Sequence, residues 1–311
     1  MEKIAIIGAG LIGRGWAIVF ARAGHEVALY DADAQALKTN LAVIRRALKD
    51  LRAARIVREA PDRIYRRIRT AASLEDALAG ADYAQENVRE ALAAKKEIFA
   101  AMDILARPGT ILASSTSTIP ASAFTKGLKG RNRCLVAHPV NPPHLVPLVE
   151  LCPAPWTSKR VLARARALHE SVGQVPITVK KEIQGFILNR LQASVLNEAL
   201  SLFADGYASA ADIDKTMRDG LGLRWSLMGP FETIDLNAPG GVADYAARYG
   251  QVMYEQVCSQ APRRWKKEVI ARLARERRAA LPASDLAQRQ AWRDRRLMAL
   301  AAHKREASKK T

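Results

Sequence analysis

Two regimes of apolar patterning divide this chain. Up to about residue 180, short apolar runs rich in Ile, Val, Leu and Ala are separated by longer amphipathic stretches; beyond it the short runs stop and apolar residues recur at helical spacing. The first regime predicts strands at Lys3 to Gly8, Glu26 to Tyr30, Tyr83 to Val88, Thr110 to Ser115, Cys134 to Ala137, Leu145 to Leu151 and Val175 to Val179. Helices are predicted after Gly13 to Ala23, from about Ala91 to Leu105 and from about Ser158 to Val172. Residues 34–67 are helical in composition, interrupted at Pro61, and long enough for two helices forming an inserted hairpin. Strands alternating with helices make a parallel α/β sheet covered on both faces. In the second regime Phe186, Leu188, Leu191, Val195, Leu196 and Ala199 mark a long helix, and Ser209 with Asp212 makes a capping-box start for another at Ala210 to Met217. The boundary falls near Lys181 to Gln184, giving an α/β domain over 1–183 and an all-helical domain over 184–311. A helical set this small with so many apolar faces is expected to bury some of them against a second copy.

The first strand runs straight into Gly8-Ala9-Gly10-Leu11-Ile12-Gly13 and a helix, and the next strand ends on Asp31, eighteen residues past Gly13. That order is the Rossmann-type dinucleotide signature. Gly8 permits the tight turn, Gly10 lets a pyrophosphate approach the backbone, and Gly13 lets helix pack on strand. The N–H groups at the positive helix start, those of Leu11 and Ile12 included, then bind phosphate, while Asp31 accepts hydrogen bonds from the adenosine ribose. An acid there repels a 2′-phosphate and no arginine follows it directly, so NAD is expected over NADP.

Other candidates are read from their surroundings. His138 closes one apolar run, and Glu150 sits between Val149 and Leu151 in the next, where a carboxylate needs a partner. If the two meet, the carboxylate fixes one imidazole nitrogen and leaves the other as a proton acceptor; a satisfied core histidine and an unrelated edge glutamate fit the spacing as well. Ser117 follows the strand ending near Ser115, where open α/β sheets place ligands, and is equally a turn or capping serine before Pro120. Asn189 opens the long helix, facing a cleft or capping a loop. Glu90 and Lys95, five residues apart, read on their own as surface charges.

Composition narrows the class. With 311 residues, about half apolar, two domains each have a core. No apolar run reaches the ~20 residues of a membrane helix and the N-terminus has no secretory pattern, so a soluble cytoplasmic protein is expected. Three scattered cysteines suit neither a disulfide framework nor a zinc site. The net charge of +18 gathers from Arg45 to Arg69 and from Arg263 to Lys310, without interleaved aromatics or a nucleic-acid module. Those stretches are read as solvated helix faces, with docking of anionic ligands as the lesser alternative.

Taken together, the glycine turn, Ser114-Ser115-Thr116-Ser117, His138 to Pro142 with Glu150, and Phe186 to Arg190 resemble the 3-hydroxyacyl-CoA dehydrogenase superfamily over nearly the whole chain. Val136 to Pro143, Gly220 to Arg224, Gly229 to Thr233 and Gln290 to Asp294 are similar to its lambda-crystallin and L-gulonate 3-dehydrogenase branch; acyl-CoA members carry aromatics where this chain has Pro139-Val140. The resemblance implies His138 as catalytic base, Glu150 as its orienting partner, and Ser117 and Asn189 at the reacting oxygen. It moves Glu90 and Lys95 to the nicotinamide half of the NAD site, beside Gly8, Gly10, Leu11, Ile12, Gly13 and Asp31. It implies a hydroxy or keto acid substrate, no metal, and a homodimer through the helical domain. The Arg45 to Arg69 segment is richer in arginine than that branch leads one to expect, which keeps a CoA ester open as substrate.

Overall fold

The computed structural model describes residues 1–307. Its first strand, β1 (Lys3–Ile7), leads through the glycine turn into α1 (Leu11–Arg22) and β2 (Glu26–Tyr30), parallel to β1. The inserted segment follows as α2 (Ala34–Ala53) and the single turn α3 (Pro61–Tyr65). Asp33 starts α2 by accepting the N–H groups of Gln35 and Ala36, and only Ile44, Leu48 and Leu51 of that helix are buried, so its arginines face water. Pro61 opens α3, in the first-turn position where a missing N–H costs nothing.

The alternation continues through β3 (Ile68–Thr70), α4 (Leu74–Leu78), β4 (Tyr83–Glu86), α5 (Leu92–Leu105), β5 (Ile111–Ser114), α6 (Ala121–Thr125), β6 (Cys134–Pro139), β7 (Leu148–Pro153), α7 (Lys159–Ser171) and β8 (Val175–Thr178). Strand order in the eight-stranded sheet is β3-β2-β1-β4-β5-β6-β7-β8, parallel except where β6 meets β7. The order reverses between β1 and β4, and doubly wound sheets bind ligands in the crevice beyond the strand ends there. Successive residues of β1 feed opposite cores. Ile4 and Ile6 join Trp16, Phe20 and Leu29 on one face, and Ala5 and Ile7 join Phe99, Met102 and Phe124 on the other.

A second compact unit spans Arg190–Arg289. It takes in most of α8 (Leu188–Ala204), then α9 (Ala210–Lys215), a π turn Thr216–Leu221 that prolongs the helix expected to end at Met217, α10 (Gly222–Trp225), α11 (Pro230–Leu236), α12 (Gly241–Ser259) and α13 (Lys267–Ala280). Ser209 accepts the Asp212 N–H at the start of α9, as the capping box requires. The last helix, α14 (Leu286–Ala307), belongs from Gln290 onward to the first unit. This corrects a helical unit running unbroken from 184 to 311. Met298 is buried in the core cluster that holds Ile44 and Leu48, Leu297 packs against it, and Arg305 donates to the carbonyls of Arg55 and Ile56. No helix among the described residues is long and apolar enough to cross a membrane.

Candidate active site

The glycine turn has the geometry its sequence requires. Gly8 has φ +92°, and a Cβ there would lie 2.8 Å from the Asn87 carbonyl oxygen. A Cβ on Gly13 would lie 1.8 Å from the Gly8 oxygen, so only glycine lets α1 pack this close to β1. Gly10 has nothing within 4 Å of its Cβ position, and no side chain caps the N-terminus of α1 at Leu11 and Ile12. At the end of β2, Asp31 accepts the Ala9 N–H at 2.7 Å and the Asp33 N–H at 3.0 Å, which holds the acid against the turn. Open space above Gly10, an uncapped helix start and an acid at the turn fit the pyrophosphate and ribose of a dinucleotide.

The strands β6 and β7 pair antiparallel with His138 directly opposite Glu150. Both are buried, and His138 Nδ1 lies 2.7 Å from Glu150 Oε2. The other carboxylate oxygen accepts the N–H groups of Ile187 and Leu188, each at 2.9 Å. Those N–H groups reach it because the chain turns sharply just before α8, with Gly185 at φ +76° and Phe186 at φ +48°. A buried phenylalanine in the left-handed region costs roughly 1–3 kcal/mol, and its ring packs 5.6 Å from the imidazole of His138. Burial opposes ionisation of Glu150, but the His138 hydrogen bond and the Leu188 and Ile187 N–H groups outweigh it and hold the carboxyl below its usual range. An ionised Glu150 has no proton to give, so His138 Nδ1–H is the donor and Nε2 is the acceptor nitrogen.

Asn189, one residue past Leu188, donates from Nδ2 to the Ser117 carbonyl oxygen at 2.8 Å. Ser117 and Asn189 thus meet through main chain, and the Ser117 hydroxyl makes a long bond of 3.4 Å to Glu90 Oε1. That same oxygen accepts the Thr116 hydroxyl at 2.6 Å and the Ser117 and Thr118 N–H groups at 3.0 Å each. Its partner Oε2 lies 3.4 Å from Lys95 Nζ. Burial works against the Glu90 charge, yet the Thr116 hydroxyl and the Lys95 ammonium leave its pKa lowered. Read alone as surface charges, Glu90 and Lys95 are instead an ion pair under the Thr116–Thr118 loop, with Lys95 buried.

Several site-bearing residues escaped the sequence reading. Glu86, at the end of β4, is fully buried; it takes Lys95 Nζ at 3.0 and 3.2 Å, the Ser114 hydroxyl at 2.5 Å and the Val88 N–H at 2.6 Å. Burial pushes its carboxyl above the ordinary range despite the lysine. Gln85 donates from Nε2 to Ser115 Oγ at 2.7 Å and to the Ala137 carbonyl at 3.1 Å, while its Oε1 accepts the Tyr83 hydroxyl at 2.6 Å. Ser115 in turn donates to Asn87 Oδ1 at 2.7 Å and accepts from Trp16 Nε1 at 3.0 Å. The available signal was Gln85-Glu86-Asn87, three polar residues closing a strand that a parallel sheet buries on both faces.

A dinucleotide-shaped turn at the reversal of a doubly wound sheet, with a buried His–Glu pair on neighbouring strand ends, defines an NAD-dependent oxidoreductase. Residues 3–183 match the NAD binding domain of 3-hydroxyacyl-CoA dehydrogenase and residues 185–279 match its C-terminal domain. The lambda-crystallin homolog of Mus musculus is 40% identical over 302 residues, covering 96% of this chain and 94% of that one. L-carnitine dehydrogenase of Streptomyces coelicolor is 35% identical over 251 residues, covering 80% and 78%. Among solved structures, an NAD+ dependent dismutase, 5-formyl-3-hydroxy-2-methylpyridine 4-carboxylic acid 5-dehydrogenase, superposes with a TM-score of 0.84 at 27% identity over 97% of each chain. The chain belongs to the 3-hydroxyacyl-CoA dehydrogenase family, in its lambda-crystallin branch.

Proposed function

We propose that this protein oxidises a free L-3-hydroxy acid, L-gulonate-like in character, to the 3-keto acid, with His138 as general base. The observation that carries this reading is the buried 2.7 Å contact between His138 Nδ1 and Glu150 Oε2, with the second carboxylate oxygen already committed to two N–H groups. Nε2 is then the nitrogen that takes the hydroxyl proton, and Glu150 offsets the positive charge that develops on the ring. A bound NAD would supply the acceptor for the hydride of C3. Gly8, Gly10, Gly13, Leu11, Ile12 and Asp31 would hold the adenosine and pyrophosphate half of the cofactor, and Glu90 with Lys95 would support the loop beside its nicotinamide half. Ser117 and Asn189 would hydrogen-bond the reacting oxygen. A free acid is supported by the kinship with L-carnitine dehydrogenase, since L-carnitine is itself a free 3-hydroxy acid, although a relative named 3-hydroxyacyl-CoA dehydrogenase is as similar at 36% identity.

A second reading rests on the basic insert. The arginines of α2 are solvated, and Arg45 lies over the Tyr65 ring at 4.2 Å, a surface suited to phosphate and thus to a CoA ester. NADH fluorescence with L-gulonate, L-carnitine, diketones run in reverse and 3-hydroxybutyryl-CoA under identical conditions separates the readings. Turnover of a free hydroxy acid at a kcat/KM above that of the CoA ester is expected; the reverse order moves the assignment to acyl-CoA chemistry, and no turnover of any of them removes it. We further propose a cytoplasmic homodimer formed through the helical unit, which leaves Leu227, Phe231, Leu236, Tyr254, Val257 and Trp265 more than half exposed. Light scattering at twice the 34.1 kDa chain mass is the expected result.

A further inference from the structure

A second cavity in the first unit shares no lining residue with the site above. It has a volume of about 390 Å³ and lies between the end of α1, the Pro143–Pro147 connection that joins β6 to β7, and the outer turns of α14. Arg22 and Arg305 give its wall positive charge, and among the described residues no aspartate or glutamate lines it. Arg22 donates to the His144 carbonyl at 2.8 Å, and Arg305 donates to the Ile56 and Arg55 carbonyls at 2.9 and 2.7 Å. Main-chain carbonyls orient these guanidinium groups but do not neutralise them.

The two arginines also act on each other. Burial, together with the positive charge of Arg305, lowers the Arg22 pKa to about 10. Asp294 makes itself felt at His144 and Arg14, but its carboxylate is held by Arg293 at 2.8 Å and it does not line the cavity. Apart from the His144 imidazole the remaining wall is largely aliphatic, with Ile56, Leu145, Val146, Leu297 and Leu300. A half-buried Arg22 beside the exposed Arg305, both lining a largely aliphatic cavity, suits an anionic head on an apolar body.

We propose that this cavity binds a small amphipathic carboxylate, its head between Arg22 and Arg305 and its hydrocarbon against Leu145, Leu297 and Leu300. A body of about six to eight carbons suits a cavity of this size. The occupant would rest on the connection between the strand of His138 and the strand of Glu150, so it would steady the hairpin that carries both. The inference does not depend on the reaction proposed above.

The test is calorimetric titration of the full chain, saturated with NAD, with hexanoate, 1-hexanol and inorganic phosphate. Hexanoate should bind saturably, and hexanol and phosphate each at least ~10-fold more weakly, because one lacks the head and the other the body. Arg305→Gln and the cavity-filling Ala301→Trp should each weaken hexanoate by at least ~10-fold, whereas His138→Gln should bind it like the unaltered protein. Unsaturable hexanoate binding, phosphate as tight as hexanoate, full affinity in Arg305→Gln, or loss of binding in His138→Gln would each overturn the proposal. Should Ala301→Trp not fold, Arg305→Gln and the hexanol comparison still decide it.

Discussion

His138 and Glu150 occupy opposite positions of one antiparallel ladder, so their side chains leave the same face of the sheet and meet at 2.7 Å without either strand having to bend. Replacing the imidazole with an amide removes the base while keeping a polar side chain. His138→Gln is expected to bind NAD as the unaltered protein does and to lose ~10²–10⁴-fold in turnover. Glu150→Gln should also lose turnover, and in addition stability by about 1–3 kcal/mol, because its amide cannot accept from His138, Ile187 and Leu188 together. Parallel NADH kinetics, NAD titration and thermal melting on both variants check this; near-normal turnover in His138→Gln removes the base assignment.

Which parts of this site the sequence discloses follows from how local each signal is. The glycine turn and Asp31 lie within one strand–helix–strand unit, where each glycine answers a steric demand set by neighbours close in sequence, and they read directly. The His138–Glu150 pair was legible as two expensive burials in consecutive strands, but the contact itself needed the register. Glu86 and Gln85 were not legible, because their partners Ser114, Ser115 and Ala137 come from strands that only the folded sheet brings alongside. β3 passed unnoticed because three residues show no alternation, and the return of α14 to the first unit rests on Met298 and Leu297, whose helix has almost no other apolar face to betray it.

Gln85 joins the loop base at Ser115 to the strand end at Ala137, one residue before His138. Gln85→Leu should strip the Ala137 carbonyl of its side-chain donor, at about 1–3 kcal/mol, while the Ser115 hydroxyl keeps Trp16 and Asn87 and the Tyr83 hydroxyl keeps His169. Gln85→Glu keeps the shape but offers an acceptor to the Ala137 carbonyl, and is expected to be no better. Lowered Tm with reduced turnover in both variants is the anticipated outcome, measured against Tyr83→Phe, which removes the hydroxyl's bonds to Gln85 and His169 but leaves the bridge from Ser115 to Ala137 in place. Full activity in Gln85→Leu would show that the two strand ends hold their places without the bridge.

Gly13→Ala puts a methyl 1.8 Å from the Gly8 oxygen, and backbone on both sides leaves no flexible group to move aside. The helix must lift from β1, which is expected to cost about 1–3 kcal/mol and to disrupt the turn whose N–H groups meet the pyrophosphate. NAD affinity, followed by titration, should fall at least ~10-fold. Gly10→Ala, with nothing within 4 Å, should fold normally and lose NAD affinity alone. The two variants thus separate packing from cofactor approach.

Acid should unfold this protein earlier than its carboxylates alone would dictate, because the buried His169 and the half-buried His144 both have lowered pKa values. His169 stands beneath the sheet with its Nε2 against the Tyr83 hydroxyl at 3.0 Å, and burial lowers its pKa from 6.5 to about 3; burial, aided by the charge of Arg22, takes His144 from 6.5 to about 4. Between those values and 6.5 the unfolded chain binds more protons than the folded one, so stability rises with pH across that window and falls on acidification. Each histidine contributes a slope of up to about 1.4 kcal/mol per pH unit in mid-window. Glu150, with its pKa lowered, adds stability that persists above its ordinary 4.5 and is lost only as pH drops through its folded value. Denaturant melts from pH 7.5 to 4.5 should therefore show stability declining from near pH 6.5 downward, ahead of the carboxylates. His169→Gln keeps a donor for Tyr83 but cannot titrate, and should shed about one proton's worth of that slope; an unchanged slope would mean that His169 is not neutral in the folded protein.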